Sequence, residues 1–230
     1  MEQAGEPSGG AGVEDGTHVR LVAISSSYGA GGGRIGRQLA DRLQVPFIDR
    51  AIPAAVAHAL AVGIDEAELH DEQVPARWLE RLLSGFLAAD TGAPTSVPAR
   101  TPTAEDFRRA TEEVLLRQAK TGEGVIVGRA GVVLLRNERG VLRVRLDGPQ
   151  NARIRQAMDL QGIDEQTATH RLRELDRAHL AYAKHFYGVD IRDPRLYHVI
   201  VDSTSIPLAT CTEMLYAAAS ALRAPKSSGP

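Results

Sequence analysis

The sequence predicts an α/β protein built on a parallel sheet with helices covering both faces. Three observations carry this. Strand-like and helix-like segments alternate along the chain, two strands turn through glycines directly into helices, and the first of those turns, Gly29 to Gly33, has the composition of a phosphate-holding loop. With 230 residues, 43% hydrophobic and 24% charged, the chain has enough apolar material for one sizeable core and too little for two full domains.

The elements follow in order. His18 to Ser25 is a β-rich run bounded by polar residues, and Gly33 to Leu43 carries Ile35, Leu39 and Leu43 at helical spacing. "VPFID" gives a second strand ending at Asp49, and Ala51 to Ala61 an alanine-rich helix closed by Gly63. A helical stretch broken at Pro75 comes next, with Trp78 expected as a packing anchor beside Leu79, Leu82 and Leu83. Asp90 to Pro102, rich in proline and small polar residues, reads as a mobile loop dispensable for binding.

Helical pattern resumes from Thr103 to Thr121, and Val125 to Val127 forms a buried strand that turns at Gly128 into another helix. "VLRVRLDG" alternates Leu142, Val144 and Leu146 with arginines, so it reads as a strand, and "YHVIVDST" supplies the last one before a helix from Pro207 to Leu222. Between them Asn151 to Tyr187 is helical, with Gly162 ending one helix and Asp164 capping the next.

Charge and cysteine content exclude several classes. A formal net charge of -2 leaves no overall basic field for nucleic acid or anionic lipid. The single cysteine, Cys211, rules out an intramolecular disulfide and a cysteine-based zinc cluster, and its apolar surroundings make it a core residue. Residues 1–17 are acidic and glycine-rich without the basic start and apolar stretch of a signal peptide, so a disordered tail is expected there and another at 224–230. No apolar run approaches the ~20 residues that span a bilayer. The chain is therefore expected to be soluble and cytoplasmic, with neither nucleic acid nor membrane as partner; its sequence does not specify an oligomeric state.

A glycine loop between the first strand and its helix gathers backbone N–H groups and a helix N-terminus at one point, where they bind an anion. Gly31-x-Gly33-x-x-Gly36 also satisfies a dinucleotide fingerprint, with Asp49 at the distance of a ribose-binding acid, while the pattern GxxxxGK[ST] is unmatched. A second cluster, Arg171, Arg173 and Arg177 beside Asp176, lies within two turns of one later helix. Phosphoryl transfer needs cations that close over the transferring group, commonly from a mobile lid, and this pairing of loop with arginine helix favours that chemistry over a dinucleotide site.

Five ordered segments, "ISSSYGAGGGRIGRQLADRL" with "VPFIDRAI", "VIVGRAGVVLL", "LDGPQNARIRQAM", "ATHRLRELDRAHLAYAKHFYG" and "LYHVIVDSTSIPL", resemble the cytidylate kinase-like proteins, relatives of the bacterial cytidylate kinases among the P-loop nucleoside monophosphate kinases. The resemblance runs from about residue 20 to 220. It implies a three-layer, adenylate-kinase-like P-loop NTPase fold over residues 18–223 with a five-stranded parallel sheet, an acceptor-binding region over about 50–120 and a helical lid over about 160–195. The implied reaction moves the γ-phosphate of ATP, with Mg2+, to CMP or dCMP. The phosphate loop would comprise Ser26, Gly29, Ala30, Gly31, Gly32, Gly33 and Arg34, within Ser26 to Arg34. Asp49 and Arg129 would face the acceptor, and Arg171, Arg173, Asp176 and Arg177 would belong to the lid, with Arg173 and Arg177 closing over the γ-phosphate. No metal-ligating side chain is singled out.

The departures from that family are specific. Against a typical cytidylate kinase loop of the form G-x-x-G-A-G-K-G-T, the first glycine falls on Ser26, the lysine on Gly32 and the threonine on Arg34. The cytidylate kinase-like group itself commonly has a "GSGG" loop followed by a basic residue, so the resemblance implies Arg34 as the replacement cation. His179 stands where a lid arginine is expected, His198 where an aspartate follows the late tyrosine, and Asp202-Ser203 where the family has "NT". Loss of the lysine and one lid cation is expected to weaken transfer. The alternative is a catalytically inactive nucleotide-binding sensor or partner-docking module, followed by an NAD(P)-dependent oxidoreductase. As a histidine, residue 179 is expected to gain charge between pH 8 and 6.

Overall fold

A computed structural model describes residues 20–49, 104–128 and 131–222. The expected helix at 51–61, the segment holding Trp78, the loop at 90–102, Arg129 and both tails lie outside the described residues. The first strand, β1 (Arg20–Ser26), leads through the glycine loop into α1 (Gly32–Leu43) and then β2 (Phe47–Asp49). Next come α2 (Ala104–Thr121), β3 (Glu123–Val127), α3 (Gly131–Leu134) and β4 (Val141–Asp147). Two helices that pack together, α4 (Gln150–Gln161) and α5 (Glu165–Tyr187), precede a short 3-10 turn (Pro194–Leu196), β5 (Val199–Asp202) and α6 (Leu208–Ala221).

The strands form one parallel sheet in the order β2-β3-β1-β4-β5. Alternate residues of β1 serve two cores. Val22 and Ile24 join Ile35 and Leu39 of α1 and Cys211 and Leu215 of α6 on one face, while Leu21 and Ala23 join Leu115 of α2 and Val132 of α3 on the other. Burial on both sides is why β1 and β3 read as continuous apolar runs. Ile35 and Leu39 are fully buried, and removing each from water contributes about 1.5–3 kcal/mol.

Helix ends follow local chemistry. Asp164 caps α5 by accepting the Thr167 N–H at 2.7 Å, and Gly162 and Gly188 end α4 and α5 in left-handed conformation, at φ 65° and 64°. The sheet order also decides one question the glycines left open. A dinucleotide fold runs 3-2-1-4-5-6, whereas here β3 lies between β1 and β2. The fingerprint at Gly31, Gly33 and Gly36 therefore lacks the surrounding fold it requires. Gly36 has its own cause, since a Cβ there would come within 2.5 Å of Val127 Cγ2 and 3.0 Å of the Phe47 ring, where α1 crosses the sheet.

Candidate phosphate-loop site

In an open parallel sheet the binding crevice lies beyond the carboxyl ends of the strands. There the chain leaves β1 at Ser26 and returns at Gly32, and Gly29 and Gly31 take φ of 79° and 72°, angles that favour glycine. The turn is fastened from below: the Ser27 N–H donates to the Leu146 carbonyl and the Ala30 N–H to the Ser27 carbonyl, both at 3.1 Å. Ser203, after β5, donates its Oγ to the Ala30 carbonyl at 2.7 Å.

Above the loop lies a cleft of about 470 Å³. Ser26, Gly29, Gly31, Gly32, Gly33 and Arg34 line its floor, Asp49 its β2 side, and Leu175, Asp176 and His179 of α5 its roof. Ala30 differs from its sequence-based assignment: it is fully buried beneath the loop, and its N–H is spent on Ser27 rather than turned to the cleft. Arg34 is exposed on the first turn of α1. A carboxylate oxygen of Asp49 lies 3.8 Å from where a Cβ of residue 33 would stand.

The arginines of α5 are placed otherwise than the sequence suggested. Arg171 donates to Gln161 Oε1 at 3.0 Å, Arg173 lines a separate surface hollow with Glu165, Gln166, Thr169 and His170, and exposed Arg177 does not line the cleft. Helical geometry is the reason: Leu175, Asp176 and His179 occupy the strip turned to the loop, and Arg173 and Arg177 lie together on one flank, off that strip.

Two cations that pattern reading missed sit against the loop. Arg145 of β4, only 8% exposed, donates to Ser27 Oγ at 2.9 Å, to Ser25 Oγ at 3.3 Å and to Asp147 Oδ2 at 2.9 Å. Arg153 of α4, 5% exposed, donates to the carbonyls of Tyr28 at 2.8 Å and Gly148 at 3.0 Å and to Asp176 Oδ2 at 2.8 Å. The other Asp176 oxygen accepts the Tyr28 N–H at 2.9 Å. Gln156 Nε2 donates to the Gly29 carbonyl at 2.9 Å, and the Tyr28 hydroxyl to Gln161 Oε1 at 3.0 Å.

This network sets the electrostatics. Burial by itself would raise the Asp147 carboxyl, but the Ser27 hydrogen bond and the Arg145 cation outweigh it and hold the group below the usual carboxylate range. Burial, followed by the Arg145 charge, pushes His179 down to about 4. The expected gain of charge on His179 between pH 8 and 6 is therefore corrected: the imidazole stays neutral through pH 6. His198 is also lowered, by burial and then by Arg143, and its Nδ1 accepts the Arg143 N–H at 3.2 Å. Asp202 is held down to about 2 by hydrogen bonds from Thr204 and Ser205 and so shapes the turn after β5.

Among the described residues no group of three or more His, Cys, Asp or Glu side chains is placed to hold a metal ion, and no helix is long and apolar enough to cross a membrane. A five-stranded parallel sheet with a glycine loop opening α1 and a helical roof above it defines a phosphate-loop kinase fold. More narrowly, the model of the cytidylate kinase-like family matches residues 21–205, and the chain belongs to that family.

Among solved structures, an uncharacterized protein from Eubacterium ventriosum is similar at a TM-score of 0.59 and 17% identity, over 88% of this chain and 99% of that one. More distant are a shikimate kinase from Bacteroides thetaiotaomicron (TM-score 0.45, 15% identity, 86% and 97% covered) and a gluconokinase from Sinorhizobium meliloti (0.46, 18%, 90% and 94%). No curated protein matches.

Proposed function

We propose that this protein transfers the γ-phosphate of ATP to CMP or dCMP. The observation that carries the reading is the juxtaposition of the glycine loop with Asp49 on one side of the cleft and α5 above it, in a chain whose family model spans residues 21–205. Loop N–H groups and the N-terminus of α1 supply a fixed partial positive charge for a phosphate. Arg34, exposed in the first turn of α1, adds the cation in place of the loop lysine. The acceptor phosphate is already an anion at neutral pH, so positioning suffices and no general base is required.

Mg2+ is commonly held by one or two carboxylates together with substrate phosphates and water. Asp49, a carboxylate on the wall of the cleft, fits this donor set. Bound there, the ion would neutralise charge on the transferring phosphate. Arg129, at the start of the segment after β3, is assigned to the acceptor on the family resemblance alone.

One observation favours a second reading, a nucleotide-binding module without transfer. Residue 32 has no room for a lysine, because a Cβ there would collide with the side chain of Ser26. A coupled assay of ATP consumption across CMP, dCMP, UMP and AMP separates the two. CMP- or dCMP-dependent turnover supports the kinase; saturable ATP binding without it supports the module.

A further inference from the structure

Loop, sheet and lid meet at one buried side chain. The Arg153 guanidinium donates to the Tyr28 carbonyl in the loop, to the Gly148 carbonyl just past β4 and to Asp176 on α5, and its Nε lies 3.5 Å from Asp147 Oδ1. Asp176 completes a ring by accepting the Tyr28 N–H with its second oxygen. Both the N–H and the carbonyl of Tyr28 are thus fixed by one ion pair, directly before Gly29, whose Cβ position is filled by the Arg153 carbonyl oxygen.

We propose that Arg153 is a positioning residue for phosphoryl transfer, which aligns the phosphate loop with the α5 roof through the Tyr28 peptide and Asp176. This rests on the phosphotransferase reading above. The physical argument is geometric. Arg153 offers a planar fork that reaches three elements at once, and a lysine at the same place supplies the charge without the fork. His179, one helical turn beyond Asp176, hangs over the cleft from the same helix, so the ion pair also sets how far the roof stands from the loop. A misplacement of about 1 Å in such a site costs on the order of 100-fold in rate.

The test uses the full chain with Arg153→Lys, Arg153→Gln, Asp176→Asn and the double variant Arg153→Gln/Asp176→Asn. Calorimetry gives the ATP dissociation constant with Mg2+, steady-state assays give kcat and KM for CMP, and thermal unfolding reports folding. Positioning predicts that Arg153→Lys, though folded, loses kcat by roughly 10- to 100-fold with a much smaller change in KM. Each single glutamine or asparagine variant weakens ATP binding, and the double variant is no weaker than the worse single one, because both break the same contact.

Parent-like kcat and ATP affinity in folded Arg153→Lys and Arg153→Gln would overturn the proposal. So would losses of ATP affinity that simply add in the double variant. If the parent transfers phosphate to no monophosphate yet binds ATP, the kinase reading fails while the binding cycle still decides the role of Arg153. If the parent binds no ATP, both fall together.

Discussion

The side chain of Ser26 fills the space that a side chain at residue 32 would need: a Cβ on Gly32 would collide with Ser26 Cβ and stand 2.5 Å from its Oγ. The typical cytidylate kinase loop has glycine at the first of these places and lysine at the second, so the two departures fit each other sterically. With Ser26 in this position, a side chain at residue 32 has no room unless the loop shifts.

Gly32→Lys alone is accordingly expected to destabilise the fold by about 1–3 kcal/mol, the usual cost of overpacking a filled site. Ser26→Gly/Gly32→Lys should regain most of that stability and bind ATP roughly 10-fold or more tightly than the parent, as one charge-assisted bond to phosphate is gained. Thermal unfolding and ATP titration of both variants check this. A single variant as stable as the parent would mean that the loop has room the geometry denies.

Arg34 is the exposed cation at the mouth of α1, on the cleft floor. Arg34→Ala is expected to weaken ATP binding by about 1–3 kcal/mol, and Arg34→Lys to restore only part of it, since the planar fork is lost. Unchanged affinity in the alanine variant would leave the loop to its backbone groups alone.

His179 links pH to stability with a definite sign. Its folded pKa, about 4, lies below the ordinary 6.5, so the unfolded chain binds the proton more readily. The folded state is favoured in full above pH 6.5 and loses that advantage as pH falls toward 4. Thermal midpoints of the parent should drop across this window, and His179→Gln should flatten that part of the profile. Asp202, held at about 2, acts separately, below the ordinary carboxylate pKa of 3.8. A variant with the parent's slope between pH 6.5 and 4 would show that another group titrates there.

A neutral imidazole supplies no permanent cation to the roof. His179→Arg is expected to raise turnover above ~10-fold while changing ATP affinity much less, because a roof cation acts mainly as charge shifts in the transition state. Lowering the pH of the parent from 8 to 6 should not mimic this substitution.

Backbone rigidity supplies another expectation. Gly29 has a φ of 79°, and its Cβ position is taken by the Arg153 carbonyl oxygen. Gly29→Ala is therefore expected to cost about 1–3 kcal/mol in stability and to weaken ATP binding together with it. Parent-like unfolding and titration curves would contradict the tight loop described here.

The order of strands and helices in the described residues was legible because the period of apolar residues changes sharply at each glycine turn. Asp164 and Gly162 act as the caps their chemistry suggests. Arg145 and Arg153 were not legible. In an alternating strand an arginine reads as solvent-facing, yet this sheet is covered on both sides, and Arg145 ends beneath the loop. Arg153 reads as the polar face of a helix, and only its position just past the carboxyl end of β4 hinted at a site. For Arg173 and Arg177, spacing shows that they share a helix with Asp176 but not which strip of it is turned toward the loop, and neither lines the cleft.

The central claim is phosphoryl transfer, and chromatographic separation of products tests it most directly. The full chain is incubated with ATP and Mg2+ and, separately, with CMP, dCMP, UMP and AMP. The account predicts CDP from CMP or dCDP from dCMP, with ADP in equal amount. ATP that binds saturably while no diphosphate forms from any of the four acceptors would contradict it.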